Sequence, residues 1–374
     1  MLSDKYRPLS HYFRQNFSQV TNPPIDPLRE ARVMSLKTRF RNLGNVLVTD
    51  EKQTDVFVLE SPVISTGMFL RMKVHLDGRF YEIDCTYPLA EGGAGLQAAI
   101  DRVRAEAEDA VLQGYGHLIL TDERLAPDNA AMPMILATGA GHSHLVRRGL
   151  RTYTSINVRS AECLDTHYFA VLIGVGATTV NAYLAQECIA ERHAKGLFGN
   201  ARLGPCVQRY LDSVSAGLLK IMSKMGISVI SSYRGAYNFE AVGLSRSMVA
   251  DIFPGMPSRI SGIGMTGIAK KIAKLHAKAF DEGALPIGGF YKARTSGETH
   301  AHKGDLIHLL QTAVSTENYA TYKRYSDGVR AMPPVSLRHL MDFRSTGNAI
   351  ALEDVESITE IRKRFVTPGM SLGA

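Results

Sequence analysis

The sequence predicts an α/β protein built on a mostly parallel sheet that forms an incomplete barrel. Strand-like and helix-like segments alternate along the chain, and the strands are near-continuous apolar runs rather than alternating patterns. Strands buried on both faces by crossover helices read that way. Only about five convincing strands precede residue 260, too few for a regular eight-stranded barrel.

The elements follow in order. Thr21, Asn22, Pro23 and Pro24 make a turn before a helix expected from Pro27 to about residue 43. Asp26 suits its N-cap, Pro27 its first position and Gly44 its stop. Residues 56–60 read as a strand ended by Ser61 and Pro62, and residues 80–86 as a half-buried strand. A glycine-rich stretch, 91–95, opens a helix over 96–113. Residues 116–122 (GHLILTD) form a short apolar strand with an acid at its C-terminal end. A helix over 133–148, closed by Gly149, precedes a strand over 151–158. Helices are expected over 166–176 and 179–195, around a glycine break, and over 205–225. Residues 226–232 read as a strand and 236–242 as a short helix. A second region begins near Ala284, with helices over 305–314, 319–329 and 337–343. Its end, 364–374, reads as a first buried strand.

The chain has 374 residues, enough for one large or two moderate domains. Its 45% hydrophobic and 21% charged residues allow a sizeable core. The net charge of +7 is scattered, with no basic run of the kind that marks a nucleic-acid footprint. Cys85, Cys163, Cys188 and Cys206 are far apart, so neither a structural zinc site nor an iron–sulfur cluster is expected. Such sparse cysteine suits a reducing cytoplasm. Residues 1–16 are charged and unlike a signal peptide, and no apolar run is long enough to span a membrane.

Several residues are candidates for chemistry. His142 and His144 lie two apart within a helical pattern, so they point away from each other and cannot share a metal. His117 and His167 stand alone, and His300 and His302 lie in a loop. Residues 92–95 could offer N–H groups to an anion, yet they match neither a dinucleotide nor a P-loop pattern, so a plain turn is expected. Asp122, Ser231, Ser232, Tyr233 and Arg234 fall at predicted C-terminal strand ends, where α/β proteins gather their sites. Capping and loop packing is the competing account. No nucleophile–base–acid set emerges, and no catalytic residue or metal ligand is assigned. The Met-rich segment 218–225 is a core helix with lysines on its outer face.

Ordered strings then carry a resemblance. They are residues 2–9 (LSDKYRPL), 17–30 (FSQVTNPPIDPLRE), 137–140 (ATGA) with the nearby histidines, and 217–228 (GLLKIMSKMGIS). Residues 232–236 (SYRGA), 239–244 (FEAVGL), 297–300 (GETH), 363–365 (KRF) and 370–374 (MSLGA) complete the series. The chain resembles the large subunit of glutamate synthase along essentially its whole length.

That resemblance implies a cytoplasmic enzyme in which an amidotransferase domain releases ammonia from glutamine. A tunnel carries the ammonia to an FMN barrel, where it combines with 2-oxoglutarate. Electrons arrive through iron–sulfur clusters from a small subunit with NADPH or NADH, or from ferredoxin. Residues 1–283 would be the central domain, a rudimentary TIM-barrel relative. Residues 284–374 would be a helical leader and the first strand of a truncated FMN barrel. Met370, Ser371 and Gly373 would lie against the flavin, but only in the full-length enzyme; alone the chain is expected to hold no cofactor and to be inactive. Its partners would be the amidotransferase and FMN domains, with no nucleic acid and no membrane. Two departures stand out: Ser143 replaces the middle of three family histidines, and Pro368 sits in the turn before Met370. A standalone barrel-like enzyme or phosphate-ligand binder and a remnant of an interrupted gene are the alternatives.

Overall fold

The computed structural model describes residues 7–17, 27–40, 47–49, 51–54, 56–281, 292–294, 296–345 and 347–364. The chain divides into two compact units, Tyr6–Gly283 and Ala284–Ala374 with Met1–Lys5.

The larger unit begins with β1 (Phe13–Gln15), α1 (Pro27–Val33) and an antiparallel pair, β2 (Thr38–Phe40) and β3 (Phe57–Leu59). Next come α2 (Thr66–Leu76), β4 (Phe80–Asp84), β5 (Thr86–Pro88), α3 (Gly92–Leu112) and β6 (His117–Thr121). Then follow β7 (Asn129–Ala131), α4 (Met134–Arg147), β8 (Ser155–Arg159), α5 (Thr166–Gly174), β9 (Thr179–Asn181) and α6 (Tyr183–Ala194). The unit ends with α7 (Leu203–Met225), α8 (Ile230–Tyr233), β10 (Phe239–Leu244), α9 (Arg246–Ile252), β11 (Ile260–Ile263) and α10 (Met265–Ala279).

Its centre is a four-stranded parallel sheet in the order β4-β6-β8-β9. Helices α3, α4 and α5 are the crossovers between successive strands. Every residue of β6, β8 and β9 is buried, which is why these strands lack a polar alternation. Leu118, Leu120, Ile156, Val158 and Val180 join one large core with Leu96 and Val103 of α3, Ile135 of α4 and Phe169 of α5. Burying each such side chain contributes about 1.5–3 kcal/mol.

The opposite face is different. Ile119 joins a smaller cluster with Phe40, Leu59, Ile64, Phe69, Met72 and Leu76, supplied by the β2–β3 pair, α2 and its approach. Helix α2 forms because Ser65 Oγ accepts from Met68 N at 3.0 Å, and because Phe69, Met72 and Leu76 recur on one side. Phe80 of β4 packs against this cluster too, while the remaining positions of β6, β8 and β9 on this face are polar. His117 Nδ1 and Ser155 Oγ are 2.8 Å apart, Asn157 Nδ2 donates to Ser155 Oγ at 2.9 Å, and Thr179 Oγ1 donates to Asn157 Oδ1 at 2.7 Å.

Around this centre, β10 pairs antiparallel with β1 and parallel with β11. Helix α10 packs on α3, and the contact needs a glycine: a Cβ at Gly93 would meet Thr266 Cα at 2.8 Å.

In the smaller unit, α11 (Gly304–Ser315) packs on α12 (Tyr319–Arg330), and α13 (Ile358–Lys363) follows. Asn318 caps α12, accepting from Thr321 N at 3.0 Å.

Several expectations are corrected. The first helix ends at Val33 rather than near residue 43, because Ser35 bridges to Val229 and Thr38–Phe40 pairs with β3. Residues 179–195 are β9 and then α6, since Thr179–Asn181 adds to the sheet edge. Residues 226–232 hold a one-residue bridge and α8 rather than a strand, and residues 236–242 run into β10 rather than forming a helix. The strand over 151–158 begins at Ser155, after a 3-10 turn at Arg151–Tyr153. Residues 337–343 hold only a 3-10 turn at Leu337–Leu340. Helix α2 was not anticipated. Asp26, Gly44 and the final strand over 365–374 lie outside the described residues.

Candidate functional site

The C-terminal ends of the parallel strands form a compact polar cluster. Asp122 directly follows β6 and is 0% exposed. Its Oδ2 accepts from Ala161 N at 2.8 Å and its Oδ1 from the Tyr183 hydroxyl at 2.9 Å. Burial pushes its carboxyl up to about 6. Glu162, on the loop after β8, accepts from Met134 N at 3.2 Å and from the Tyr168 hydroxyl. Burial pushes it up to about 7, and the Asp122 charge acts in the same direction. The neighbouring Cys163 thiol is raised well above its usual value by burial.

Beside these acids, Arg159 is clamped. Its Nη2 donates to Glu123 Oε1 at 2.7 Å and its Nη1 to Asn181 Oδ1 at 2.8 Å. The guanidinium lies 4.9 Å from the Phe69 ring and 4.8 Å from the Tyr183 ring. Hydrogen bonding to Arg159 holds Glu123 below the usual carboxylate range. Two acids that titrate near neutrality could in principle move protons. Here both oxygens of Asp122 are already held, and the residue has no exposed surface for a substrate to reach. The cluster ties β6, β8 and α6 together.

The N-terminal ends carry a contrasting group. His142 of α4 lies between two loops, so that a Cβ at Gly176 would meet its Cγ at 2.3 Å and one at Gly235 its Nε2 at 2.8 Å. Arg151 Nε donates to His142 Nδ1 at 2.9 Å, which leaves the imidazole proton on Nε2. Arg151 also donates to the carbonyls of Thr154, at 2.6 Å, and Gly176, at 2.9 Å. Arg234 donates to Thr38 Oγ1 at 3.2 Å, while its buried Nε has no partner. The buried Tyr237 hydroxyl has none either, and its ring meets that of His142 edge-on at 5.9 Å. Burial, then the charges of Arg151 and Arg234, lower His142 to about 3. Burial lowers both arginines to about 10, with the Arg234 charge adding to the effect on Arg151.

The candidates named from sequence scatter. Asp122 sits at a strand end as expected. Ser231, Ser232 and Tyr233 lie in α8, with Arg234 just beyond it, so they are not at a strand end. His142 and His144 do diverge: His144 Nε2 meets Glu108 Oε2 at 2.6 Å. His117 pairs with Ser155, and His167 Nε2 lies 3.0 Å from Ser10 O. Gly92–Gly95 opens α3, as a turn into a packed helix. Among the described residues no three His, Cys, Asp or Glu side chains group as metal ligands, and no helix is long and apolar enough to cross a membrane.

Sequence comparison decides the family. The family model described as glutamate synthase central domain matches residues 1–245, and one described as a conserved region in glutamate synthase matches residues 300–374. The chain belongs to the glutamate synthase family. It is 60% identical over its whole length to the glutamate synthase [NADPH] large chain of Azospirillum brasilense, covering 25% of that protein. It is 38% identical to the ferredoxin-dependent glutamate synthase of Pyropia yezoensis and 37% to the [NADPH] large chain of Bacillus subtilis, covering 100% of this chain and 25% and 24% of theirs. The chain thus spans about a quarter of the length of these glutamate synthases. A solved inosine 5' monophosphate dehydrogenase from Legionella pneumophila aligns at a TM-score of 0.29 and 12% identity over 64% of this chain and 99% of that one, too low to carry an argument. Met370, Ser371 and Gly373, expected beside a flavin, lie within the second glutamate synthase match but outside the described residues.

Proposed function

We propose that this chain is the central scaffold of a glutamate synthase, holding an amidotransferase domain and an FMN domain in register and helping to form the ammonia passage between them. The observation that supports this most is the central-domain match over residues 1–245, within an alignment of the whole chain to about a quarter of each relative. In this reading residues 1–283 are a rudimentary barrel and residues 284–374 the start of the FMN domain. The sheet supports the rudimentary-barrel reading: the β2–β3 pair and α2 fill the face that a closed barrel would keep for its interior. The acids at the strand ends are consumed in holding the fold, which favours a structural part over a catalytic one. FMN contacts at Met370, Ser371 and Gly373 belong to the same proposal. The printed names of the relatives include NADPH, NADH and ferredoxin-dependent enzymes, so we take the scaffold to be indifferent to the electron donor.

The test is a chimera. Residues 1–374 replace the matching stretch of the Azospirillum brasilense large chain, and glutamine-dependent and ammonia-dependent glutamate formation are compared. Both activities should persist with their ratio kept. A well-folded chimera that has lost glutamine-dependent activity and coupling would overturn the scaffold reading. Stoichiometric FMN binding by the chain alone would favour a standalone binder instead.

A further inference from the structure

The group at the N-terminal end of the sheet carries an imbalance of charge and donors among the described residues. Arg151 and Arg234 both flank His142, the first through its hydrogen bond and the second beside Gly235, which packs on the imidazole, and neither pairs with a carboxylate among the described residues. By contrast, Arg159 meets Glu123, and Arg104 meets Asp101 and Asp251. Both arginines are half-buried, and drawing a cation out of water without a counter-charge is costly, as is a buried donor without an acceptor. Two such donors are present, Arg234 Nε and Tyr237 Oη. His142 cannot serve as their acceptor, because its Nδ1 already takes the Arg151 proton and its Nε2 carries its own. The charged groups beside the imidazole are both cations, and the Tyr237 hydroxyl next to it has no acceptor.

We propose that Arg151, Arg234, His142 and Tyr237 form a binding site for a small oxyanion at the N-terminal end of the parallel sheet. Two guanidiniums without a counter-ion match a dianion better than chloride, and their planar forks suit adjacent oxygens of a tetrahedral or carboxylate group. Arg151 is positioned by three protein acceptors, whereas Arg234 has a single one and retains most of its donors for a ligand. The backbone supports this arrangement. Gly235 N donates to Ile173 O at 3.0 Å and Tyr237 N to Gly174 O at 3.1 Å, which holds the arginine-bearing loop against the end of α5. The inference does not rest on the scaffold reading, since it concerns the opposite end of the sheet from the acids and needs no partner domain.

The experiment uses the full chain in a buffer free of multivalent anions. Inorganic phosphate, sulfate and succinate are titrated by calorimetry and by thermal unfolding, each against potassium chloride at matched ionic strength. A saturable phosphate or sulfate effect beyond that of chloride is expected; succinate distinguishes a dicarboxylate site from a tetrahedral one, and either result supports an oxyanion site. Arg234→Gln should weaken binding at least tenfold while unfolding no earlier than wild type in anion-free buffer. Tyr237→Phe, which keeps the ring and its packing, should weaken it by about tenfold. If no anion acts beyond chloride, water fills the site and the proposal fails. It fails equally if Arg234→Gln binds as wild type does, and should that variant not fold, unaltered binding by Tyr237→Phe would overturn it.

Discussion

The two ends of the four-stranded sheet solve the burial of charge in opposite ways. At the C-terminal end, Asp122 and Glu162 are desolvated, but each accepts hydrogen bonds from neutral neighbours and part of their charge is suppressed by proton uptake. At the N-terminal end, Arg151 and Arg234 cannot shed their charge near neutral pH, and the groups they meet among the described residues are neutral acceptors, not carboxylates. A carboxylate can satisfy itself inside a fold by taking a proton; a guanidinium needs a counter-ion. Parallel α/β sheets ordinarily gather their sites at the C-terminal strand ends. Here that end is internally closed, and the unmet chemistry lies at the other.

The comparison can be broken from either end. The largest effect is expected at Gly176, whose φ of +124° and proximity to His142 leave no room for a side chain. Gly176→Ala should cost about 4 kcal/mol in urea unfolding, through backbone strain and overpacking. Asp122→Ala leaves the Tyr183 hydroxyl and Ala161 N without acceptors and should cost about 3 kcal/mol by the same measurement.

The pH dependence follows from the two raised acids, at about 6 for Asp122 and about 7 for Glu162. The folded chain holds protons that the unfolded chain has already released. Their stabilising contribution is therefore complete below the ordinary carboxylate range and is lost as pH rises through 6 to 7. Between pH 5 and pH 8 this should remove about 4 kcal/mol, the larger share through Glu162, and Glu162→Gln should flatten the slope.

The sharpest comparison is one edit made twice. Tyr183→Phe removes a hydroxyl that donates to Asp122 and should cost about 1.5 kcal/mol. Tyr237→Phe removes a hydroxyl with no partner and should change anion-free stability by roughly zero. Equal losses in the two variants would erase the distinction between the ends.

Much of the fold was legible because long apolar periodic segments declare themselves. Residues 117–121 and 205–225 fall where the pattern placed them. The misreadings have physical causes. Thr179–Asn181 is a three-residue strand, too short for any period, and runs straight into α6. Phe239–Leu244 contains glutamate and alanine, which favour helix, yet pairing with β1 and β11 overrides that preference. Asp122 was found because an acid ending an apolar strand is a local signal. His142, Arg151 and Arg234 had none as a group, since they lie up to 92 positions apart and only the fold brings them together. The glycines at 176 and 235 were the available hint, as close backbone approach is what glycine permits.

The hydrogen-bonded row from His117 through Ser155 and Asn157 to Thr179 has a consequence for assembly of the sheet. A parallel strand that slid by a single position would trade Ser155 and Asn157 for Ile156, pressing hydroxyl and amide into the apolar layer beneath α4 and α5. Apolar side chains of similar size would tolerate many such offsets, whereas these polar ones accept a single alignment. The row therefore works as a ratchet tooth, admitting one way for neighbouring strands to mesh.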